Sequence, residues 1–259
     1  MDYETPDGSQ FSLQPIWLDD NEPPTLLYTS VSAFVDGKAY VGKLEKQPDE
    51  IEDEELLGCL MPVPVECLQP LFQPGFSTAP PFDAGKHYLK GPSFQYELGR
   101  PGCTIPAQSV LNEVKVLEKL LQHPHPNLAR YYGCVVDEGR IKQICLARYA
   151  GNLTSWLEQN HNSPSPAVAH KIMDGVEAGV RHLHALGMAH NDINPENICI
   201  DKEDRAVIVD FDCCYPFGER MCKGSSVRVY EGDKGDEAIL SDPENDFEGM
   251  EYIASLLLS

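Results

Sequence analysis

The chain has 259 residues, of which 42% are hydrophobic, enough apolar material for one large domain or two small ones. Its 41 acidic against 20 basic residues give a formal charge of -21. So acidic a chain repels phosphate backbones and anionic headgroups, and we expect neither nucleic acid nor a membrane surface as a partner. A nucleotide site remains compatible with this charge, because it needs only a locally positive patch and metal ions.

The first residues lack a basic region followed by an apolar run, and no apolar stretch is long enough to span a membrane. The nine cysteines are an odd number, without the paired CxxC spacing that suggests zinc. We therefore expect a cytoplasmic protein with reduced thiols.

The N-terminal part of the chain has a β pattern. Two β-type runs in residues 25–45 are separated by Asp36-Gly37, a strong hairpin signal. A proline-rich stretch at 61–82 follows, which predicts a connector or an extended arm lying on a domain surface.

From residue 86 onward helices and short strands alternate. Residues 110–121 keep one helical face apolar until His123-Pro124 ends the helix, and a longer helix is predicted at 169–186, with Gly187 as its C-cap. Residues 218–244 are polar and irregular. The remaining predicted elements are the strands HYLK, LARYYGCVV, IKQICLARY, ICI and AVIVD and the helices 153–159 and 246–258.

The segment HNDINPENICI at 190–200, followed by VDFD at 209–212, carries the chemistry. It resembles the catalytic loop and the Asp-Phe-Gly motif of protein kinases. The resemblance implies that Asp192 orients the acceptor hydroxyl and takes its proton, and that Asn197 and Asp210 hold magnesium on the phosphates of ATP. Lone Asx residues that cap turns are the alternative, and the order of helix, loop, hairpin and VDF argues against it.

Upstream, SVLNEVKVLEKLLQHPHPN resembles the family's C helix and the loop after it. This implies that Lys90 and Glu113 are the family's paired lysine and glutamate, and that the glutamate holds the lysine so that its ammonium is directed at the α- and β-phosphates. Lys43 is the second choice for the lysine and Lys86 is also within range, while helical phase alone does not separate Glu113 from Glu118.

The same resemblance assigns three further features. Arg148, Tyr149 and Ala150 would offer backbone groups to an adenine ring, behind a small residue, Ala147, at the gatekeeper position. Asp246 would tie the catalytic loop to the family's F helix. The side chains of Leu117, His190 and Phe211 are expected to pack together in the core.

The motifs His-Asn-Asp and Asp-Phe-Asp are similar to those of short fungal kinase-like proteins. The resemblance implies an α+β, bilobal protein-kinase-like fold, with a β-rich N lobe that carries the C helix and a helical C lobe truncated after the F helix. We expect residues 1–60 to form a β-hairpin extension packed on the N lobe, 61–85 a connector, and 86–259 the kinase-like domain, whose lobes divide at about 150.

The sequence departs from the family pattern in four places. No G-x-G-x-x-G precedes Lys90, and no Ala-Pro-Glu follows Asp210. Asn194 replaces the catalytic-loop lysine, and Asp212 replaces the glycine of Asp-Phe-Gly. In addition, Asn191 replaces the arginine that would receive an activation-loop phosphate.

Three functions are compatible with these features. The first is an ATP:Mg-dependent protein kinase that phosphorylates Ser/Thr of an unidentified protein substrate, because the base and both metal ligands are present. The second is a pseudokinase, a nucleotide-binding or scaffolding module, favoured by the missing glycine-rich loop and lysine. The third is a small-molecule phosphotransferase, since aminoglycoside- and choline-kinase-like enzymes also lack that lysine.

Overall fold

The computed structural model of the chain describes residues 2–4, 10–18, 24–96, 98–99, 102–160, 164–221 and 239–258. The chain forms two compact units. The first comprises Met1–Pro70 with Pro92–Gln108, and the second comprises Leu71–Gly91 with Ser109–Ser259.

The first unit is built on an antiparallel sheet of five strands in the order β1-β2-β3-β4-β5. Two short helices follow strands β4 and β5. The elements are β1 Asp2–Glu4, β2 Gln10–Leu18, β3 Thr25–Val35, β4 Lys38–Leu44, α1 Asp53–Gly58, β5 Met61–Pro62 and α2 Val65–Leu68.

A two-residue turn joins β3 to β4. Its residues, Asp36 and Gly37, have φ angles of 49° and 72°, the left-handed conformation that a tight hairpin turn requires at both positions. Val35 pairs with Lys38 across the turn. The hairpin predicted from Asp36-Gly37 is confirmed.

Side chains alternate between the two faces of the sheet along each strand, and both faces carry buried apolar side chains. On one face Val31 and Ala33 pack in a cluster with Leu56 of α1. On the other face Val41 packs in a second cluster with Phe94. The sheet is therefore the centre of the first unit.

The second unit begins with a three-stranded sheet in the order β6-β8-β7 and a long helix, α3, most of which belongs to this unit. Two smaller sheets, β12-β11-β9 and β10-β13, and three more helices follow. The elements are β6 His87–Lys90, α3 Ile105–Gln122, β7 Tyr131–Asp137, β8 Arg140–Ala147, β9 Gly151–Asn152, α4 Leu153–Gln159, α5 Pro166–Ala185, β10 Met188–Ala189, β11 Ile198–Ile200, β12 Ala206–Ile208, β13 Tyr215–Pro216 and α6 Pro243–Leu257.

The helices of the second unit match the sequence patterns closely, and the differences lie at their N-termini. Helix α5 begins at Pro166, three residues earlier than predicted, because a proline at the first helical position is compatible with helix initiation. Helix α6 begins at Pro243, where the Asp242 side chain accepts a hydrogen bond from the amide of Glu244 at 2.9 Å. Of the predicted irregular region 218–244, residues 222–238 lie outside the described residues.

One continuous hydrophobic cluster fills the second unit. It joins Leu117 of α3, Leu183 of α5, Ile253 of α6 and Phe211, all fully buried. Among the described residues, no helix is both long enough and apolar enough to cross a membrane.

Helix α6 approaches the backbone of the loop between β10 and β11 very closely. A Cβ atom on Gly249 would collide with the backbone oxygen of Ile193 in that loop. Only glycine allows this approach, which sets the distance between the helix and the loop.

We predict that Gly249→Ala destabilises the protein by about 1–3 kcal/mol, because the collision outweighs the gain of about 1 kcal/mol in helix propensity. Thermal unfolding followed by fluorescence measures this. The matched control is Glu248→Ala at the exposed neighbouring position, which should leave the midpoint unchanged. A Gly249→Ala protein as stable as the wild type would contradict the close contact.

Candidate active site

A lysine and two carboxylates meet at the end of strand β6. The ammonium of Lys90 lies 2.8 and 2.7 Å from the two carboxylate oxygens of Glu113 on α3, and 2.7 Å from Oδ1 of Asp210. The Glu113 side chain is only 2% exposed, and that of Lys90 is 20% exposed. The structure thus brings together Lys90, Glu113 and Asp210, and the predicted ion pair between Lys90 and Glu113 is present.

The charges of this cluster are unequal. Burial alone would lower the pKa of Lys90, but the carboxylates of Glu113, Asp210 and Asp212 outweigh burial and raise it. Burial, with the charges of Asp210 and Asp212, raises the pKa of Glu113 to about 7 against the attraction of Lys90. The ammonium of Lys90 thus contacts two carboxylates, and the charge of a third, Asp212, acts on both Lys90 and Glu113.

Asp210 has a backbone conformation that is uncommon for a residue with a side chain. Its φ is 64°, which costs energy and is frequent at functional sites. The amide of the next residue, Phe211, donates to Oε1 of Glu113 at 3.2 Å. Phe211 and His190 are fully buried and their rings meet edge to face with centroids 5.4 Å apart, so these predicted core residues lie where expected.

The loop 190–197 brings together the two other predicted polar residues. The Nδ2 group of Asn197 donates to the backbone oxygen and to Oδ2 of Asp192, both at 2.9 Å. The Oδ1 atom of Asn194 accepts from the amides of Glu196 and Asn197 at 2.9 and 3.1 Å, which caps the short turn that carries Asn197. Asn194 therefore shapes the loop instead of supplying the positive charge of a lysine.

The carboxylate of Asp246 on helix α6 anchors this loop. It is completely buried, and its oxygens accept the backbone amides of His190 at 2.9 Å and Asn191 at 2.7 Å. Nε2 of His184 lies 2.8 Å from Oδ2. The predicted tie between Asp246 and the catalytic loop is present.

Asn191 is a buried branching point with a left-handed backbone, φ 63°. Its Nδ2 group donates to the backbone oxygens of Ala189 and Cys213 and to Oγ of Ser241, at 2.9–3.0 Å. Its Oδ1 atom accepts from the amide of Asp242 at 3.0 Å. The neutral side chain of Asn191 therefore joins the loop 190–197 to the described segments that precede and follow residues 222–238.

A cavity of about 350 Å³ opens beside these residues. Of the predicted site residues, Arg148 and Tyr149 line this cavity. Ala150 and Asp192, which are also described, are not part of the lining. The amide of Arg148 donates to the backbone oxygen of Lys86 at 2.8 Å. The lining residues are Tyr88, Lys90, Leu146, Ala147, Arg148, Tyr149, Gly151, Asn152, Glu196, Asn197, Cys199, Val209 and Asp210.

The polar residues at this cavity fit a magnesium ion. Because Nδ2 of Asn197 is engaged with Asp192, the hydrogen bonds orient the amide so that Oδ1 is its atom available as a metal ligand. Asp210 contributes a carboxylate at the same cavity. Carboxylate and amide oxygens are ligands that Mg²⁺ prefers.

The alternatives left open by the sequence have other contacts. The ammonium of Lys86 pairs with Asp83 at 3.2 Å. That of Lys43 lies over the rings of Tyr28 and Tyr96, 5.4 and 5.5 Å from their centroids. Glu118 accepts from Ser77 and Tyr131.

Two residues at the site escaped the sequence analysis. Cys199 lines the cavity, and its position at the centre of the strand ICI was the available signal. Asn112 donates from α3 to the backbone oxygens of Asp212 and Cys214 at 3.1 and 2.9 Å. No local pattern marks Asn112, because its partners are about a hundred positions away in the sequence.

An ion-paired lysine, a loop that carries Asp192 and Asn197 and a carboxylate at the following turn together have the arrangement that is typical of protein kinase domains. The model of the protein kinase domain matches residues 100–231, just over half of the chain. The chain belongs to the protein kinase domain family.

Several curated kinases are similar to part of the chain. Human receptor-interacting serine/threonine-protein kinase 1 is 27% identical over 110 residues, which cover 42% of this chain and 16% of the relative. Mouse dual specificity testis-specific protein kinase 1 is 31% identical over 106 residues, covering 40% and 16%. The dual serine/threonine and tyrosine protein kinase of Strongylocentrotus purpuratus is 34% identical over 110 residues, covering 40% and 11%. The chain spans less than a fifth of the length of these relatives.

We predict that Asn191→Asp destabilises the protein by about 3–5 kcal/mol, because it replaces a buried NH₂ group, whose two hydrogens face three acceptor oxygens, by a carboxylate oxygen that can donate to none of them. Urea unfolding measures the loss. The matched control is Asn194→Asp, since an aspartate keeps the Oδ1 acceptor that caps the turn, and its effect should stay below about 1 kcal/mol. Equal effects of the two substitutions would contradict the role of Asn191.

Proposed function

We propose that the protein is an ATP:Mg-dependent protein kinase that transfers the γ-phosphoryl group of ATP to a Ser/Thr hydroxyl of a protein. The observation that carries this proposal is the contact of Lys90 with both Glu113 and Asp210 at the edge of a cavity that Asn197 also lines. A surface lysine or a structural ion pair would not require the second carboxylate.

In this proposal each residue has a separate task. Lys90, held by Glu113, directs its ammonium at the α- and β-phosphates. Asp192 orients the acceptor hydroxyl and takes its proton as the phosphoryl group leaves ATP. The bond between Asn197 and Asp192 keeps the base and the metal-binding amide in one fixed arrangement.

Asn197 and Asp210 would hold the magnesium. When bound, the ion neutralises charge on the phosphates. The carboxylate of Asp210 and the amide of Asn197 at the same cavity support this assignment, because Mg²⁺ prefers carboxylate and amide oxygens as ligands.

The adenine ring would lie against the segment after β8. Since the amide of Arg148 is engaged with Lys86, Arg148 would contribute its carbonyl oxygen. Ala147 at the gatekeeper position and Cys199 below it would leave the cavity deep. We further propose that β6–β8 with α3 form the N lobe and α4–α6 the C lobe of a bilobal domain, related to short fungal kinases.

A specific observation favours a second candidate, a pseudokinase that binds nucleotide without transferring phosphate. The side chain of Asn194 is committed to capping a turn, so it adds no positive charge where family members have lysine. Protein kinases among the relatives favour a protein acceptor over the small molecule of the third hypothesis.

Thermal unfolding with ATP, with and without magnesium, followed by phosphate transfer to the chain itself and to mixed protein acceptors, tests the proposal. Ligand at a hundred times its Kd should stabilise the fold by about 2.7 kcal/mol. Magnesium-dependent stabilisation with transfer supports the kinase, and stabilisation without transfer supports the pseudokinase. Absence of any stabilisation by ATP would refute both.

We predict that Asp210→Asn abolishes the magnesium-dependent part of ATP binding, because a carboxylate is lost from the metal site. Asp192→Asn should keep nucleotide affinity nearly unchanged while transfer falls by roughly two to four orders of magnitude, the usual effect of losing a general base. Calorimetric titration of magnesium in the presence of ATP, together with transfer rates, measures both effects.

The control for these variants is Asp212→Asn, two residues from Asp210 on the same turn. Since Phe211 is buried between them, we expect Asp212 to face away from the metal and its variant to keep the wild-type magnesium dependence. An Asp210→Asn protein with unchanged metal dependence would overturn the assignment of the metal site.

A further inference from the structure

The segment Leu71–Ala79, called here the arm, lies along the β7–β8 hairpin within the second unit. The amide of Phe72 donates to the backbone oxygen of Gly139 at 2.9 Å. The amide of Cys134 donates to Ser77, and the amide of Ala79 donates to Cys134, both at 2.8 Å. The two bonds with Cys134 pair the arm with the outer edge of β7, and the bond to Gly139 fixes its other end at the turn of the hairpin.

Two aromatic side chains anchor the arm to the core. Phe72 and Phe76 are partly buried against the hydrophobic cluster of the second unit, and their rings meet edge to face with centroids 6.1 Å apart. Gly75, with φ 96°, makes the turn between them. The arm therefore has its own apolar attachment.

The strand beneath the arm is shaped to receive it. Gly133 of β7 has φ 128°, and a Cβ atom there would collide with the backbone of Thr78 and the amide of Ala79. Any other residue at this position would push the two backbones apart. The contact between arm and strand is thus built into the sequence of both segments.

The arm also binds helix α3 directly. The backbone amide of Ser77 donates to Oε1 of Glu118 at 2.6 Å, and its hydroxyl donates to Oε2 at 3.0 Å. The hydroxyl of Tyr131 donates to Oε1 at 3.0 Å. Hydrogen bonds to a carboxylate are about twice as strong as those between neutral groups, so this contact is the strongest polar link between arm and helix.

The position of Glu118 on α3 determines what the contact does. Glu118 is five residues after Glu113, so the two side chains project about 140° apart around the helix axis. One faces Lys90 and the other faces the arm. A helix held on two different faces cannot rotate about its axis without breaking one of the contacts.

We propose that the arm is an internal clamp on helix α3, in which Ser77 and Glu118 are positioning residues that keep Glu113 directed at Lys90. This inference rests on the proposed nucleotide site, whose geometry the clamp maintains. The contact that holds the helix on this face comes from the same chain.

Two variants of the full chain and two control variants test the clamp. Glu118→Ala removes all three hydrogen bonds to the helix, and Ser77→Ala removes only the hydroxyl bond. The matched controls are Lys115→Ala, exposed on the same helix, and Thr78→Ala, exposed on the arm. Amide hydrogen exchange over residues 109–117 and affinity for ATP with magnesium are measured for each.

We expect Glu118→Ala to speed exchange in this part of α3 and to weaken ATP binding about tenfold, because charge-assisted bonds are lost. Ser77→Ala should weaken ATP binding about threefold relative to the wild type. Both controls should exchange and bind ATP as the wild type does. Ser77→Thr, which keeps the hydroxyl, should restore wild-type behaviour. Unchanged exchange in Glu118→Ala would overturn the clamp. Should Glu118→Ala not fold, Ser77→Ala decides by the same readouts.

A double-mutant cycle separates positioning from general destabilisation. If the arm acts through Glu113, Ser77→Ala should weaken ATP binding in the wild type and have no further effect beside Glu113→Gln. An equal loss in both backgrounds would overturn the positioning role. If the wild type binds no ATP, the proposed function fails, and the exchange measurement alone then supports or overturns the clamp.

Discussion

The conformation of the candidate site depends on the hydrogen bonds that the buried carboxylate of Asp246 accepts. An ionised carboxylate without water is costly unless its oxygens are hydrogen-bonded, and here the partners are the backbone amides of His190 and Asn191. The position of helix α6 and the conformation of the loop 190–197 therefore depend on each other. The glycine contact between Gly249 and Ile193 brings the helix close enough for these bonds to form.

Charge is distributed unevenly across the molecule and across the site. The chain as a whole is strongly acidic, and acidic groups also surround Lys90, which contacts Glu113 and Asp210. Together with the charge of Asp212, these carboxylates raise the pKa of Lys90 and keep its ammonium charged. The acidic composition that argues against nucleic acid is thus compatible with a positively charged group at the cavity.

Local sequence patterns were sufficient to predict the helices and strands and the contact of Lys90 with its carboxylates. The proline after His123 predicted the end of α3, and the motif residues Lys90, Glu113 and Asp210 meet as their spacing in the family implies. The contacts of Asn191 and Glu118 were not predictable. Their partners lie 50 and 41 positions away, and neither periodicity nor turn chemistry says which distant backbone will supply a donor or an acceptor.

The arm has a consequence for how the molecule meets its neighbours. Strand β7 is an outer strand of its sheet, and a bare outer strand offers unpaired backbone groups to any other chain. By pairing with Cys134, the arm covers part of that edge. A shortened chain beginning after Ala79 would leave this edge of the strand open to pairing with sheets of other molecules, and it would also lose the aromatic anchors Phe72 and Phe76 from the core.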